Sequence, residues 1–94
     1  MRNYEIMVVI QPDLDEASLK GILDKINGWI TEAGGSVTKT DLWGKRRLAN
    51  KIRKISEGIY VLMNAQMLPA STRDLERNLL YTEPVLRFLI TNSN

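Results

Sequence analysis

Residues 39–54 read Lys-Thr-Asp-Leu-Trp-Gly-Lys-Arg-Arg-Leu-Ala-Asn-Lys-Ile-Arg-Lys, and this stretch decides how the centre of the 94-residue chain folds. Interpreted as a strand with a period of two, it has a basic face and an apolar face. The basic face holds Lys45, Arg47, Lys51 and Arg53, and the apolar face, which we expect to pack against helices, holds Leu48 and Ile52. Interpreted as a helix, it has an apolar stripe at i, i+4 and i+7, formed by Leu48, Ile52 and Ile55. Periodicity alone does not choose between the two.

The same stretch concentrates positive charge. It contains seven basic residues and the single acid Asp41, a local balance of +6, whereas the rest of the chain has six basic and ten acidic residues. A run of one sign can be a solvated face, but a polyanion docks where the local charge is positive. The charge pattern therefore favours a nucleic acid as the partner.

Composition excludes much chemistry. Cysteine and histidine are both absent, so there is no disulfide, thiolate zinc site, cysteine nucleophile or histidine base. Asp13, Asp15 and Glu16 do not continue into a calcium loop, because Ala17 and Ser18 follow them. We therefore expect no catalytic residue, metal, cofactor or small-molecule substrate. The longest apolar runs are five residues and no secretory signal is visible, which predicts a cytoplasmic protein without a membrane segment.

The first half of the chain predicts a strand, a helix and a second strand. Residues 4–10 read as a strand whose second half is hydrophobic on both faces, as in a central strand. Asp13 and Glu16 have the spacing of a capping box before a helical apolar pattern. Gly34-Gly35 predicts the end of that helix. Residues 36–42 read as a strand, and Gly44 indicates a bulge.

The second half of the chain predicts a third strand, a second helix and a fourth strand. Residues 56–58, Ser-Glu-Gly, indicate a turn before a strand at residues 59–67. Ser71 and Asp74 form a second capping box, Glu83-Pro84 ends that helix, and residues 85–91 read as a strand. The order βαββαβ predicts one α+β domain over residues 1–94. It is a ferredoxin-like fold, with a four-stranded antiparallel sheet and two helices on one face.

The fold by itself does not identify a function. RNA-binding RRM modules share it, but residues 58–63 lack their base-stacking aromatic pattern. A small enzyme or a small-ligand-binding regulatory domain of this fold is an alternative, and it would need a polar pocket with convergent acid and base groups.

Several short motifs, in their order and spacing, resemble the bacterial small-subunit ribosomal protein S6 family over nearly the whole chain. They are Tyr4-Glu5, Gly34-Gly35, Trp43-Gly44-Lys45-Arg46-Arg47-Leu48-Ala49 with Ile52 and Lys54, Gly58-Ile59-Tyr60, and Val85-Leu86-Arg87. The Trp-Gly-Lys-Arg-x-Leu-Ala run is the specific part. Two departures are visible: Asn50 stands where the family usually has an aromatic residue, and the family's common acidic tail does not follow Asn94.

The resemblance implies a non-catalytic ribosomal protein that binds the central domain of small-subunit rRNA together with ribosomal protein S18. It also implies a long strand for residues 43–54. The RNA-binding residues would be Trp43, Lys45, Arg46, Arg47, Lys51, Arg53 and Lys54. Trp43 could stack on a base or serve in packing. Arg2 and Arg87 are further candidates for contact with RNA or the partner protein.

Overall fold

The computed structural model describes residues 1–93 and confirms the predicted βαββαβ order. The elements are β1 (Arg2–Ile10), α1 (Glu16–Glu32), β2 (Ser36–Ile52), β3 (Ile55–Met67), α2 (Ser71–Leu80) and β4 (Val85–Asn92). The strands pair antiparallel in the order β2-β3-β1-β4, so the first and last strands of the chain are neighbours. This is the predicted ferredoxin-like sheet. Neither helix in the described part of the chain is long and apolar enough to cross a membrane.

The hydrophobic core lies on one face of the sheet, between the strands and both helices. Alternate residues of β1 and β3 point into it, as the period of a strand requires. Its fully buried members include Ile6, Val8, Ile10, Val61 and Met63 from the sheet and Ile26, Ile30 and Leu79 from the helices. The opposite face, which we call the open face, has no helix over it. Its apolar residues are Met7, Val9, Tyr60, Leu62 and Leu89.

The predicted N-cap of α1 is wrong by two residues, and its predicted stop is confirmed. Asp15, in extended conformation, is the cap, and its Oδ1 accepts a hydrogen bond from the Ser18 backbone N–H at 2.8 Å. That bond favours the carboxylate and lowers the pKa of Asp15 from its ordinary value of 3.8. At the other end Gly34 has a φ of 86°, and the Gly35 N–H donates to the Ile30 carbonyl at 2.9 Å.

The capping box predicted for α2 is also wrong. Ala70 occupies the cap position with a helical backbone and makes no side-chain cap hydrogen bond. The Ser71 and Thr72 N–H groups instead donate to the carbonyls of Leu68 and Pro69, because a turn leads directly into the helix. The helix ends at Leu80, before the predicted stop at Glu83-Pro84.

The turn between β2 and β3 lies earlier than predicted. Ile52 pairs with Ile55, so the chain reverses at Arg53 and Lys54, whose φ angles are 51° and 66°. Residues 56–58 belong to β3. Two consecutive non-glycine residues in the left-handed region are unfavourable for L-amino acids, and such backbone strain is concentrated at functional sites.

Candidate nucleic-acid interface

The basic stretch forms an arm at one end of the sheet. Because Ile10 at the end of β1 pairs with Ile59, the first residues of β3 continue beyond β1 and pair only with β2. We call residues 45–58 the basic arm. The strand interpretation of this stretch is confirmed as far as Ile52. The arm carries six exposed cationic side chains: Lys45, Arg46, Arg47, Lys51, Arg53 and Lys54.

A large bulge distributes these cations around the arm. Arg47 pairs with Glu57 and Ile52 with Ile55, so four residues of β2, 48–51, stand opposite Ser56 alone. Such an excess bends a strand and re-aims its side chains. Asn50, at the position of the family's usual aromatic residue, is exposed in this bulge.

The prediction of one cationic face is therefore only partly correct. Lys45 and Arg47 share one face, as the alternation predicted, but they pair with residues that point to the helix side of the sheet, the side expected for Leu48 and Ile52. Arg46 pairs with Gly58 and points to the open side.

Leu48 does not face the helices, which corrects the expectation from periodicity. Leu48 is buried, but it lies on the open side with Arg46: its Cδ2 is 3.6 Å from the position that a Cβ on Gly58 would occupy. A Cβ there would also collide with Val9 Cγ1, so the missing side chain of Gly58 makes room for both Val9 and Leu48 to pack over it. Ile52 is half-buried and outside the core.

This placement predicts different stabilities for three alanine variants. Leu48→Ala should lower the free energy of unfolding by about 2 kcal/mol, since the side chain that it removes is buried. Ile52→Ala should cost about 1 kcal/mol, because its site is only half-enclosed. Lys51→Ala should stay within about 0.5 kcal/mol of the wild type. Denaturant titration measures all three, and a larger loss for Ile52→Ala than for Leu48→Ala would contradict the placement of Leu48.

Trp43 lies beside the arm in a second bulge. Leu42 pairs with Val61 and Gly44 with Tyr60, which leaves Trp43 as the extra residue, and Gly44 has a φ of 85°. The bulge predicted at Gly44 is therefore confirmed. The Trp43 side chain is 45% exposed, and the Arg46 guanidinium carbon lies 5.7 Å from its ring centroid. This distance is within the range of a cation–π contact, so an exposed ring and a guanidinium form one surface.

The two further candidates lie at opposite ends of the sheet. Arg87 pairs with Val9, close to the arm, and is exposed on the open face. Arg2 pairs with Met67 at the far end of β1. The structure thus brings Arg87 toward the basic arm and leaves Arg2 away from it.

Within residues 1–93 the cations of the arm form no ion pair with a carboxylate. The ion pairs within residues 1–93 are Lys20–Asp24 at 3.2 Å and Lys39–Asp41 at 3.5 Å, and both lie outside the arm. Glu57, opposite Arg47, is the acid within the arm. Arg53 Nη1 donates to the Glu83 backbone carbonyl at 2.9 Å. The arm is therefore a concentrated cationic surface with donors available to an anion.

The open face contains a cleft that was not predicted from the sequence. Its volume is about 230 Å³, and it is lined by Met7, Val9, Tyr60, Arg87, Phe88 and Leu89. The unbroken apolar run of residues 6–10 was the available signal, since such a run places apolar side chains on both faces of a strand.

A larger depression, of about 440 Å³, lies between α1 and β2. Its ionisable lining residues are Lys20, Asp24 and Lys39. All three are exposed, and they form the ion pairs Lys20–Asp24 and Lys39–Asp41. Among residues 1–93 no three acidic side chains come close enough to hold a metal ion. The depression therefore lacks the convergent acid and base groups that a catalytic pocket needs.

Comparison with known proteins agrees with the fold. The family model described as Ribosomal protein S6 matches residues 3–92. The small ribosomal subunit protein bS6 of Caldanaerobacter subterraneus subsp. tengcongensis is 48% identical over 94 residues, covering 100% of this chain and 99% of that one. The bS6 protein of Moorella thermoacetica is 45% identical over 91 residues, covering 97% and 93%. The crystal structure of 30S ribosomal protein S6 from Thermotoga maritima superposes with a TM-score of 0.91 at 25% identity, covering 98% and 87%.

The fold, the arm and these relatives define a structural protein of the small ribosomal subunit, a class without catalytic activity of its own. Within that class the chain belongs to the ribosomal protein S6 family. The protein is accordingly a component of the ribosome. The alternative of a small enzyme or ligand-binding regulatory domain is rejected.

Proposed function

We propose that the chain binds the central domain of small-subunit rRNA together with ribosomal protein S18. The observation that supports this most directly is the basic arm, where six exposed cations have no carboxylate partner in the described part of the chain. Binding to phosphates releases condensed counterions and supplies most of the affinity of such a surface. Trp43, exposed beside Arg46, is suited to stack on an unpaired base.

The open face is the proposed site for the partner protein. It presents the cleft around Tyr60 and the exposed side chain of Leu89, which is 62% accessible. Apolar residues in a pocket surrounded by polar groups are typical of the centre of a protein–protein interface. Arg87 lies at its border with the arm, so both partners would meet near one end of the sheet.

A footprint on small-subunit rRNA tests the proposal. The purified chain should protect nucleotides in the central domain, and ribosomal protein S18 should strengthen that protection, because coupling between two ligands is reciprocal. Protection confined to another domain, or protection that S18 does not change, would contradict it.

Substitution of Leu89 tests the open face separately from the basic arm. Leu89→Glu places a charge in the open-face cleft and should weaken S18 binding at least about tenfold, as expected for a central interface residue. Leu80→Glu is the matched control, since Leu80 is 66% exposed on α2, away from the open face. Calorimetric titration with S18 measures both affinities. Equal losses in the two variants would place the partner elsewhere.

A further inference from the structure

Arg53 differs from the other cations of the arm because its side chain has a described partner in the body of the protein. Its Nη1 donates to the Glu83 backbone carbonyl at 2.9 Å, across 30 positions of sequence. Glu83 lies in the segment between α2 and β4. That segment is fixed against the end of β1, where the Gln11 N–H donates to the Pro84 carbonyl at 2.9 Å. The Arg53 guanidinium therefore joins the tip of the arm to the segment between α2 and β4, which lies beside the end of β1.

The arm needs such an attachment. Beyond Ile59 it has no pairing with β1, and its own ladder is interrupted where residues 48–51 face Ser56 alone. A two-stranded ribbon without further support is marginally stable in water. Leu48 of the arm and Val9 of β1 both pack over Gly58 in the middle of the arm, and Arg53 attaches the tip. Between these two points lies the bulge that carries Lys51.

The turn backbone supports the same assignment. Arg53 has a φ of 51°, a conformation that Gly or Asn adopts more easily than Arg. An unfavourable backbone conformation persists only where contacts with the surrounding structure fix it. The side-chain hydrogen bond of Arg53 with Glu83 is such a contact.

We infer that Arg53 is a positioning residue that holds the basic arm in its binding geometry, and that it is not itself a phosphate ligand. This inference rests on the proposed function, since it concerns how the arm meets rRNA. It also changes the assignment of Arg53, which the resemblance placed among the direct contacts. Holding the arm raises the fraction of molecules competent to bind, and apparent affinity scales with that fraction.

The matched substitutions Arg53→Asn and Lys54→Asn test the inference. Each removes one positive charge from the same turn, and Asn tolerates the left-handed backbone at both positions. Lys54→Asn should reduce the slope of log affinity against log salt by about 0.7 to 0.9, the value for one phosphate contact. Arg53→Asn should leave that slope unchanged and lower affinity by about three- to tenfold at every salt concentration, because fewer arms are correctly placed.

Hydrogen exchange of the free protein gives a second readout. Arg53→Asn should speed exchange of the arm amides between residues 47 and 52 and leave those of β1 unchanged. Lys54→Asn should change neither. If Arg53→Asn instead flattened the salt slope and left exchange in the arm unchanged, Arg53 would be a phosphate ligand and the inference would be wrong. If the wild-type chain did not bind the rRNA fragment, the proposed function would fail. The exchange comparison would still decide whether Arg53 holds the arm.

Discussion

Replacing both Arg46 and Arg47 with Ala is expected to flatten the salt dependence of rRNA binding by about 1.4 to 1.8 units of slope, if each guanidinium neutralises one phosphate. The two side chains are exposed and point to opposite sides of the arm. Neither belongs to an ion pair within residues 1–93, so the variant loses charge without leaving a carboxylate unpaired. Stability should therefore change little.

The wild-type effect of salt should be large. With four or five phosphate contacts the slope is about 3 to 4.5, so raising salt from about 0.1 to 0.3 M lowers affinity roughly 25- to 140-fold. Filter binding or fluorescence anisotropy on a central-domain rRNA fragment measures the slope. Arg73 and Arg77 on α2 provide the control, because their double replacement with Ala removes the same charge from another surface. A slope that changed in the control and not in the arm variant would move the RNA contact to α2.

Gly35→Ala is expected to destabilise the fold by about 3 kcal/mol, the upper end of what an overpacked interior costs. A Cβ on Gly35 would collide with the Gln66 carbonyl oxygen and come within 3.2 Å of two atoms of Ile30. The obstructing carbonyl belongs to β3 and cannot rotate away as a side chain would. The end of α1 and the start of β2 would have to move apart from β3.

Gly28→Ala is the matched control for that substitution. A Cβ on Gly28 would meet no atom within 4 Å, and the residue lies inside α1. Alanine has the higher helix propensity, so this variant should be stabilised by about 0.5 to 1 kcal/mol. Thermal or denaturant unfolding compares the two. Similar changes in both would mean that Gly35 is not in close contact with β3.

The elements were predictable where a local signal and the tertiary packing agree. The apolar run of residues 6–10 became the central strand β1, and Gly34-Gly35 ended α1 because a left-handed glycine suits that position. The charge of the basic arm was also predictable, because a run of basic residues can be seen in the sequence without knowing what each side chain contacts. Each of these features depends on residues close together in the chain.

The remaining features depend on distant residues, and for that reason the local patterns did not reveal them. Asp13 and Asp15 both have the chemistry of an N-cap, and the backbone conformation at residue 15 decides between them. Gly58 resembled a turn residue, whereas its role is to admit Val9 from β1. Arg53-Lys54 lacks the Asn-Gly signature of a two-residue hairpin turn, so nothing local marked the reversal. The contact between Arg53 and Glu83 spans 30 positions and carries no local signal.

The pairing of β1 with β4 sets an order of events during synthesis. β1 is made first, yet one of its two neighbours in the sheet consists of residues 85–92, and the Ser93 N–H donates to the Asn3 carbonyl at 2.8 Å. Once residues 1–80 have emerged from the ribosome, the hairpin of β2 and β3 and both helices can form, but one edge of β1 still has unpaired backbone groups. Such an edge is a template for association with other chains. Folding to completion must therefore follow the emergence of β4 from the ribosome, and contacts of this long sequence separation slow the final step.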